Sequence, residues 1–516
     1  MSEQAHDKEA AGPDTTAKAV ADAPARGRGR VVVALMLAMA LSAMESMVIS
    51  TVVPQIVSDL GGFSLFSWLF SGYLLAVTVT LPVYGKLSDI YGRKPVLLFG
   101  IVIFLIGSLL CAGAWDMASL IAFRVVQGVG GGAIQGTVQT IAADLYGLKE
   151  RAKVTAALNS VWAVSAVSGP FVGGLLAGYA DWRWIFLINL PVGALALILI
   201  VRYLHENVVV RTRHTIDWPG ALGLFASGGL LLLALVQGGV AWPWLSAPSL
   251  SLFGAGALCA AATVWIERRA AEPIIPGWVW RRRQIVAVNL ALFASGAVVT
   301  APTVFLPTYA QSVLGLGPIA AGLVLSAMSM SWPVAGALSS HVYLRIGFRD
   351  TSLIGISAAV LVLWALVMLP YAGPAWQLTA VMLALGAAFG LYQLPLLVGV
   401  QSSVGWAERA TTTSSVLFCR QLGMTAGAAL YGAVANATLA SRLAEAPVDG
   451  LPTDVDGISS ALSSAGTLEP ASAEYLRQAL ATAIDHVYVG AALAGTVAFL
   501  VVLFVAPRRF PVLADD

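Results

Sequence analysis

The chain has 516 residues, of which 58% are hydrophobic and 11% charged, with a net charge of +2 and a mean hydropathy of +0.82. A soluble globular chain carries about 25% charged residues, so an ordinary soluble enzyme is excluded. No basic stretch falls outside the gaps between apolar runs, which removes nucleic acid as a partner.

Residues 1–30 are polar, rich in Ala, Pro, Gly and Arg, and too long and hydrophilic for a cleaved signal peptide; they read as a disordered cytoplasmic tail. A helix needs about 20 apolar residues to cross the hydrocarbon core. Fourteen stretches answer to that: 31–54, 66–84, 95–114, 118–142, 154–178, 184–203, 217–239, 249–266, 285–307, 318–340, 351–370, 376–400, 411–436 and 482–507. The gaps test the count, because cytoplasmic loops concentrate Lys and Arg. Every second gap is basic: Arg26, Arg28 and Arg30; Lys86, Arg93 and Lys94; Lys149, Arg151 and Lys153; Arg202, Arg211 and Arg213. The pattern continues with Arg268, Arg269 and Arg281 to Arg283, then Arg345 and Arg349, then Arg409, then Arg508 and Arg509. The alternate gaps carry few charges, with Asp59, Asp116 and Asp181 prominent among them. Both termini are therefore expected in the cytoplasm, which requires an even number of spans. Trp115, Trp182, Trp242, Trp244 and Trp376 fit interfacial belts at the outer ends. Residues 437–481 read as one long external loop, flexible or partly helical.

Ionisable groups deep in an apolar span cost about 2.5–3.5 kcal/mol on insertion scales, so each is a functional candidate. Three stand out: Glu45, Arg124 and Arg420. At about 1.5 Å rise per residue, Glu45 lies roughly 21 Å from the inner face of a core about 30 Å thick, and Arg124 about 9 Å below the outer face. The two share a depth, which points to a common polar cavity and to a carboxyl group poised to release a proton; the alternative is a fixed ion pair locking two helices. The segment from Gly85 to Lys94 carries Gly85, Asp89, Gly92 and Arg93 in a tight cytoplasmic turn. In the fifth span, Pro170 removes a backbone hydrogen bond and should kink the helix, while Gly169, Gly173 and Gly174 offer a small-residue face. Cys111, Cys259 and Cys419 lack metal or redox spacing, no GxxxxGK[ST] or HExxH occurs, and neither cofactor nor metal is expected.

These residues resemble the fourteen-helix drug:proton antiporter branch of the major facilitator superfamily. Residues 85–94 resemble its signature loop between helices 2 and 3, Arg124-Val-Val-Gln-Gly-Val-Gly130 its helix 4 motif, and Gly169-Pro-Phe-Val-Gly-Gly174 its helix 5 antiporter motif. Ala43 to Pro54 is similar to the branch's helix 1 motif, with Glu45 where Asp is commoner; Trp182 to Gly193, Ile216 to Gly220 and Arg420-Gln-Leu-Gly423 are further matches. Ser165 and Met424 depart from the pattern, each standing where Gly is usual, and the second-half counterpart of the signature loop, residues 336–349, is degenerate.

The resemblance implies an all-α polytopic fold: a six-helix bundle at 31–203, an inserted helix pair at 217–266, and a second six-helix bundle at 285–507. It implies a monomeric exporter in the cytoplasmic membrane, working by alternating access about a midplane site. Its substrates would be amphipathic drugs, dyes or antibiotics exchanged for protons, and antibiotic resistance would follow. Glu45 would carry the proton, Arg124 tune it, Asp89 and Arg93 help hold the inner gate, the helix 5 kink favour exchange, and Arg420 line the second bundle's cavity. A metabolite exporter or a proton-coupled importer of the same fold remains the alternative.

Of the other titratable groups, Asp144 is expected to pair with Lys149 or Arg151, Asp217 to cap the seventh helix, and Asp485 and His486 to open the last helix from outside. Phe293, Tyr309, Tyr392 and Phe418 are candidate aromatic walls of a substrate site.

Overall fold

The computed structural model describes residues 25–60, 67–146, 148–179, 181–206, 218–237, 242–270, 273, 276–316, 318–445 and 470–511. All of the long elements are helices, and each apolar run lies on one. The first half comprises α1 (Ala25–Leu60), α2 (Ser67–Tyr91), α3 (Arg93–Ala112), α4 (Met117–Leu145), α5 (Leu148–Tyr179) and α6 (Trp184–Tyr203, bent at Ile188). Then come α7 (Trp218–Gln237), α8 (Ala247–Glu267) and a one-turn helix at Gly277–Arg281. The second half comprises α9 (Arg283–Ser312), α10 (Pro318–Ile346), α11 (Phe348–Val367), α12 (Ala375–Ser402), α13 (Trp406–Ala444) and α14 (Pro470–Phe504). Among the described residues, nine of these helices are long and apolar enough to cross a membrane by length and composition.

Local chemistry sets the boundaries. At α4, Asp116 accepts from the Ser119 amide at 2.7 Å while Ser119 Oγ accepts from the Asp116 amide at 3.2 Å, a reciprocal cap. That amide donor holds the exposed Asp116 carboxyl below its ordinary range. The α2–α3 turn depends on Gly92, whose φ of 93° is left-handed. The α10–α11 turn repeats it: Gly347 has φ 92° and ψ 163°, against 93° and 162° at Gly92. The degenerate counterpart segment therefore keeps the backbone of the signature turn while losing its acid and its basic residue at the Arg93 position, where Phe348 stands.

Apolar packing divides by halves. One core cluster draws on residues between Val279 and Phe510, with Phe389, Leu396 and Val487 fully buried, while the clusters around Leu35, Phe104 and Phe186 belong to α1–α6. Across the halves, α2 packs on α13 and α5 on α10, while α7 touches both α2 and α13.

Three expectations change. α1 begins at Ala25, inside the stretch 1–30 read as a disordered tail. The loop assigned to 437–481 is shorter, because α13 runs on to Ala444 and α14 begins at Pro470. The added turns are polar overall but bury a helical stripe, Leu439 with Leu476 and Leu480, and Tyr475 donates to the Arg442 carbonyl at 2.7 Å. Asp485 and His486 consequently lie within α14 and not at its N-terminus. Residues 1–24, Arg211, Arg213, Asp217 and residues 446–469 lie outside the described residues. So do the surroundings of Pro170, Gly173 and Gly174, although α5 is helical through them and Gly169 is buried.

Candidate functional site

Two polar clusters occupy the first half, one at mid-depth and one at the Arg-rich end.

The mid-depth cluster forms where α1, α4 and α6 converge. Glu45 and Arg124 are 4% and 1% exposed, and Arg124 Nη1 donates to Glu45 Oε1 at 2.5 Å. Asn189 Nδ2 donates to the other carboxylate oxygen at 2.7 Å and reaches Ser108 Oγ at 3.0 Å. Gln127 joins in, its Oε1 accepting from Arg124 at 2.8 Å and its Nε2 donating to Ser108 at 2.7 Å. Arg124 also donates from Nε to the Leu69 carbonyl at 3.1 Å and lies 4.4 Å from the Tyr73 ring centroid. Tyr73 in turn bonds Ser42 at 3.0 Å, and Gln135 donates to Ser42 at 2.9 Å. A small crevice lined by Met44, Glu45, Val48, Ile185 and Asn189 touches the carboxylate. Helix approach makes room for this: a Cβ at Gly107 would meet the Gln127 backbone at 2.6 Å, and one at Gly128 the Tyr73 carbonyl at 2.6 Å.

A buried carboxylate with one guanidinium and one amide partner is balanced but exchangeable. Protonating Glu45 neutralises its side of the pair, and Gln127, Tyr73 and the Leu69 carbonyl remain to hold Arg124. Ser108, Gln127 and Asn189 are the residues that the sequence reading did not single out. Their signal is there, as lone amides and a hydroxyl within apolar runs.

At the Arg-rich end, Gly85, Asp89 and Arg93 meet the start of α13, more than 300 residues away in sequence, while Gly92 makes the turn between Asp89 and Arg93. Asp89 accepts from the Thr411 amide at 2.8 Å, from Thr411 Oγ1 at 2.6 Å and from the Ala410 amide at 3.2 Å, as a carboxylate at a helix N-terminus should. Arg93 pairs with Asp89 at 2.9 Å and with Asp144 at 3.0 Å, donates to the Trp406 carbonyl at 2.7 Å and stacks 4.0 Å from the Trp406 ring centroid. Arg409 Nη1 donates to the second oxygen of Asp144 at 2.8 Å. Asp144 thus bridges Arg93 and Arg409, not the neighbouring basic residues expected from sequence. Separately, Glu206 accepts from the Arg93 and Lys94 amides at 2.8 and 2.7 Å, capping α3. A Cβ at Gly85 would meet Ser414 at 2.5 Å, so only glycine allows this approach of α2 to α13.

Arg420 lies apart from both clusters, on α13, with its guanidinium 5.8 Å from the Trp332 ring centroid on α10. Of the four candidate aromatics, Tyr392 is a core residue, sealed and donating to the Ala291 carbonyl at 2.8 Å.

Residues 35–428 match the Major Facilitator Superfamily. The chain belongs to that superfamily. It is 34% identical over 418 residues to multidrug resistance protein 3 of Bacillus subtilis, covering 81% of each chain. It is 31% identical over 438 residues to the multidrug transporter protein MdtP of the same organism, covering 84% of this chain and 81% of that one. The efflux pump dotC of Dothistroma septosporum is 32% identical over 413 residues, or 78% of this chain and 71% of that one. The solved proton:xylose symporter XylE superposes with a TM-score of 0.61 over 94% of this chain and 97% of its own, at 14% identity, a likeness of fold alone. This superfamily member is thus a multi-pass membrane transporter whose sequence relatives are multidrug efflux proteins.

Proposed function

We propose that this chain is a proton-coupled exporter of amphipathic drugs or dyes, working by alternating access in the cytoplasmic membrane with both termini in the cytoplasm. Fourteen spans then form two six-helix bundles, α1–α6 and α9–α14, with α7 and α8 inserted between them. The observation that carries the reading is the Glu45, Arg124 and Asn189 cluster: a titratable group at mid-depth whose partners hold its charged form while burial opposes it. In the cycle proposed, a proton entering from outside neutralises Glu45, loosens it from Arg124 and permits the halves to rock. Release to the cytoplasm restores the pair as substrate is taken up.

The Arg-rich cluster is then the inner gate, and the arrangement of Asp89, Arg93, Asp144, Trp406 and Arg409 is its latched form. Burial raises the Asp89 carboxyl to about 6, against the opposing pull of Arg93 and Thr411. An Asp89 exposed by opening would titrate near its ordinary 3.8. The latched form therefore binds more protons between those values, so latching strengthens as pH falls toward 4 and weakens as pH rises through about 6. Spin-label distances across the α2 and α13 ends should show more of the closed population at pH 5 than at pH 7.5, and Asp89→Asn should flatten that dependence. An unchanged slope in Asp89→Asn would remove Asp89 as its source.

Inverted vesicles carrying the wild-type chain test the transport reading. A cationic dye should accumulate when a proton gradient is imposed and leak away when an uncoupler is added. Accumulation that survives the uncoupler would end proton coupling, and no movement of any amphipathic dye would end drug export.

A further inference from the structure

Among the described residues of the second half, one charge within a long helix, Arg420, has nothing to balance it. Arg420 sits about 21 Å along α13 from Trp406, and Glu45 about 30 Å along α1 from Ala25. Glu45 has its guanidinium; among the described residues Arg420 has no carboxylate. Its Nε is fully buried with no hydrogen-bond partner, and among the described residues its one polar contact is the Trp332 ring. Asp485, within α14, forms no ion pair with Arg420 among the described residues. Arg409 and Glu408 near the start of the same helix are engaged at the Arg-rich end, with Asp144 and Arg282.

Arg420 is half-buried, and a guanidinium whose Nε is sealed without an acceptor is costly unless something anionic joins it. Its surroundings suit a ligand better than a structural partner. Arg420 and Trp332 lie on α13 and α10, helices whose main neighbours are α9 and α2 for the one and α12 and α5 for the other. Their side chains meet across the interior of the half and not along a packed seam. Trp332 stacks on Phe389 at 5.1 Å, so a rigid aromatic wall faces the cation. The backbone on Arg420's far side is fixed: a Cβ at Gly296 would overlap the Arg420 carbonyl and one at Gly423 the Phe293 carbonyl, so α9 and α13 touch there and hold the guanidinium in place.

We propose that Arg420 and Trp332 form the recognition site for an anionic group, a carboxylate or sulfonate, attached to an aromatic or apolar body. The guanidinium takes the anion and the indole the apolar part. This rests on the exporter reading and narrows its substrate class: amphipathic anions and zwitterions join, or replace, cationic dyes. With the Glu45 charge already paired to Arg124, the charge left without a counter-ion is the positive one of Arg420.

Binding without any gradient tests it on the full chain in lipid nanodiscs. The probes are dansylglycine, its methyl ester and the cation rhodamine 6G, read by fluorescence. Wild type should bind the acid at least tenfold more tightly than the ester. Arg420→Gln should erase that preference while changing rhodamine 6G affinity less than twofold, and Arg420→Lys should keep part of it. Equal binding of acid and ester by wild type, or a preference that persists in Arg420→Gln, overturns the proposal. So does equal weakening of acid and cation, which would make Arg420 structural. Should Arg420→Gln fail to fold, phenylglyoxal labelling of wild type decides: dansylglycine must protect Arg420 and the ester must not. Failure to move any amphipathic dye would sink the exporter reading alone, and acid–ester indifference this proposal alone.

Discussion

Arg124→Ala is expected to destabilise the chain by about 3–5 kcal/mol, because it leaves the Glu45 carboxylate buried and unpaired. The same substitution strips Gln127 and the Leu69 carbonyl of their donor and opens a void beside Tyr73. Glu45→Gln in the Arg124→Ala background should recover most of the loss, since a neutral amide can still accept from Asn189 and no charge remains stranded. Arg124→Lys should recover less. A lysine keeps the charge but cannot hold Glu45, Gln127 and Leu69 at once with the planar fork that Arg124 uses. The midpoint of thermal unfolding in detergent, compared across wild type, Arg124→Ala, Glu45→Gln and the double variant, reads the cycle. Additive losses in the double variant would mean that the two charges do not interact as the geometry shows.

Much of this architecture is legible in the sequence because lipid allows a spanning helix only one pattern. A run of about 20 apolar residues has few competing explanations, and the alternation of arginine between gaps orders the runs. Glu45 and Arg124 stand out by the same logic, as charges where charge is expensive. What the sequence hid has physical reasons too. The extra turns of α13 and α14 are rich in Ala, Ser, Glu and Arg, and their buried stripe of Leu439, Leu476 and Leu480 is too narrow to raise the local hydropathy. Asn189, Gln127 and Ser108 are uncharged, so as lone polar groups in apolar runs they give a weaker signal than Glu45, and their role shows only when Glu45 is placed beside them.

The partners of Asp144 are the clearest case. Basic residues a few positions away are nearer in sequence, but Arg93 and Arg409 are brought in by α3 and α13, and no periodicity within α4 announces a contact across 265 residues. Gly347 was open to reading by analogy with Gly92, yet the loss of the surrounding motif obscured it; backbone geometry alone restores the correspondence.

Glu45→Gln should separate binding from coupling. The amide matches the carboxylate in shape; its one oxygen can accept from Arg124 while its NH2 faces Asn189, whose own amide must flip to present an oxygen, so the helices should stay packed and substrate affinity should fall within a few fold of wild type. What it cannot do is release a proton. Uphill export driven by a pH gradient should drop by at least about a hundredfold, whereas exchange of labelled for unlabelled dye at equal concentrations, which needs no net proton movement, should continue. The direct measurement is internal pH in proteoliposomes, followed with a trapped indicator as dye is added to wild type and to Glu45→Gln side by side. The account predicts substrate-dependent proton movement in wild type and none in Glu45→Gln while its dye exchange persists. Proton movement of equal size in both chains would contradict it and assign the coupling group elsewhere.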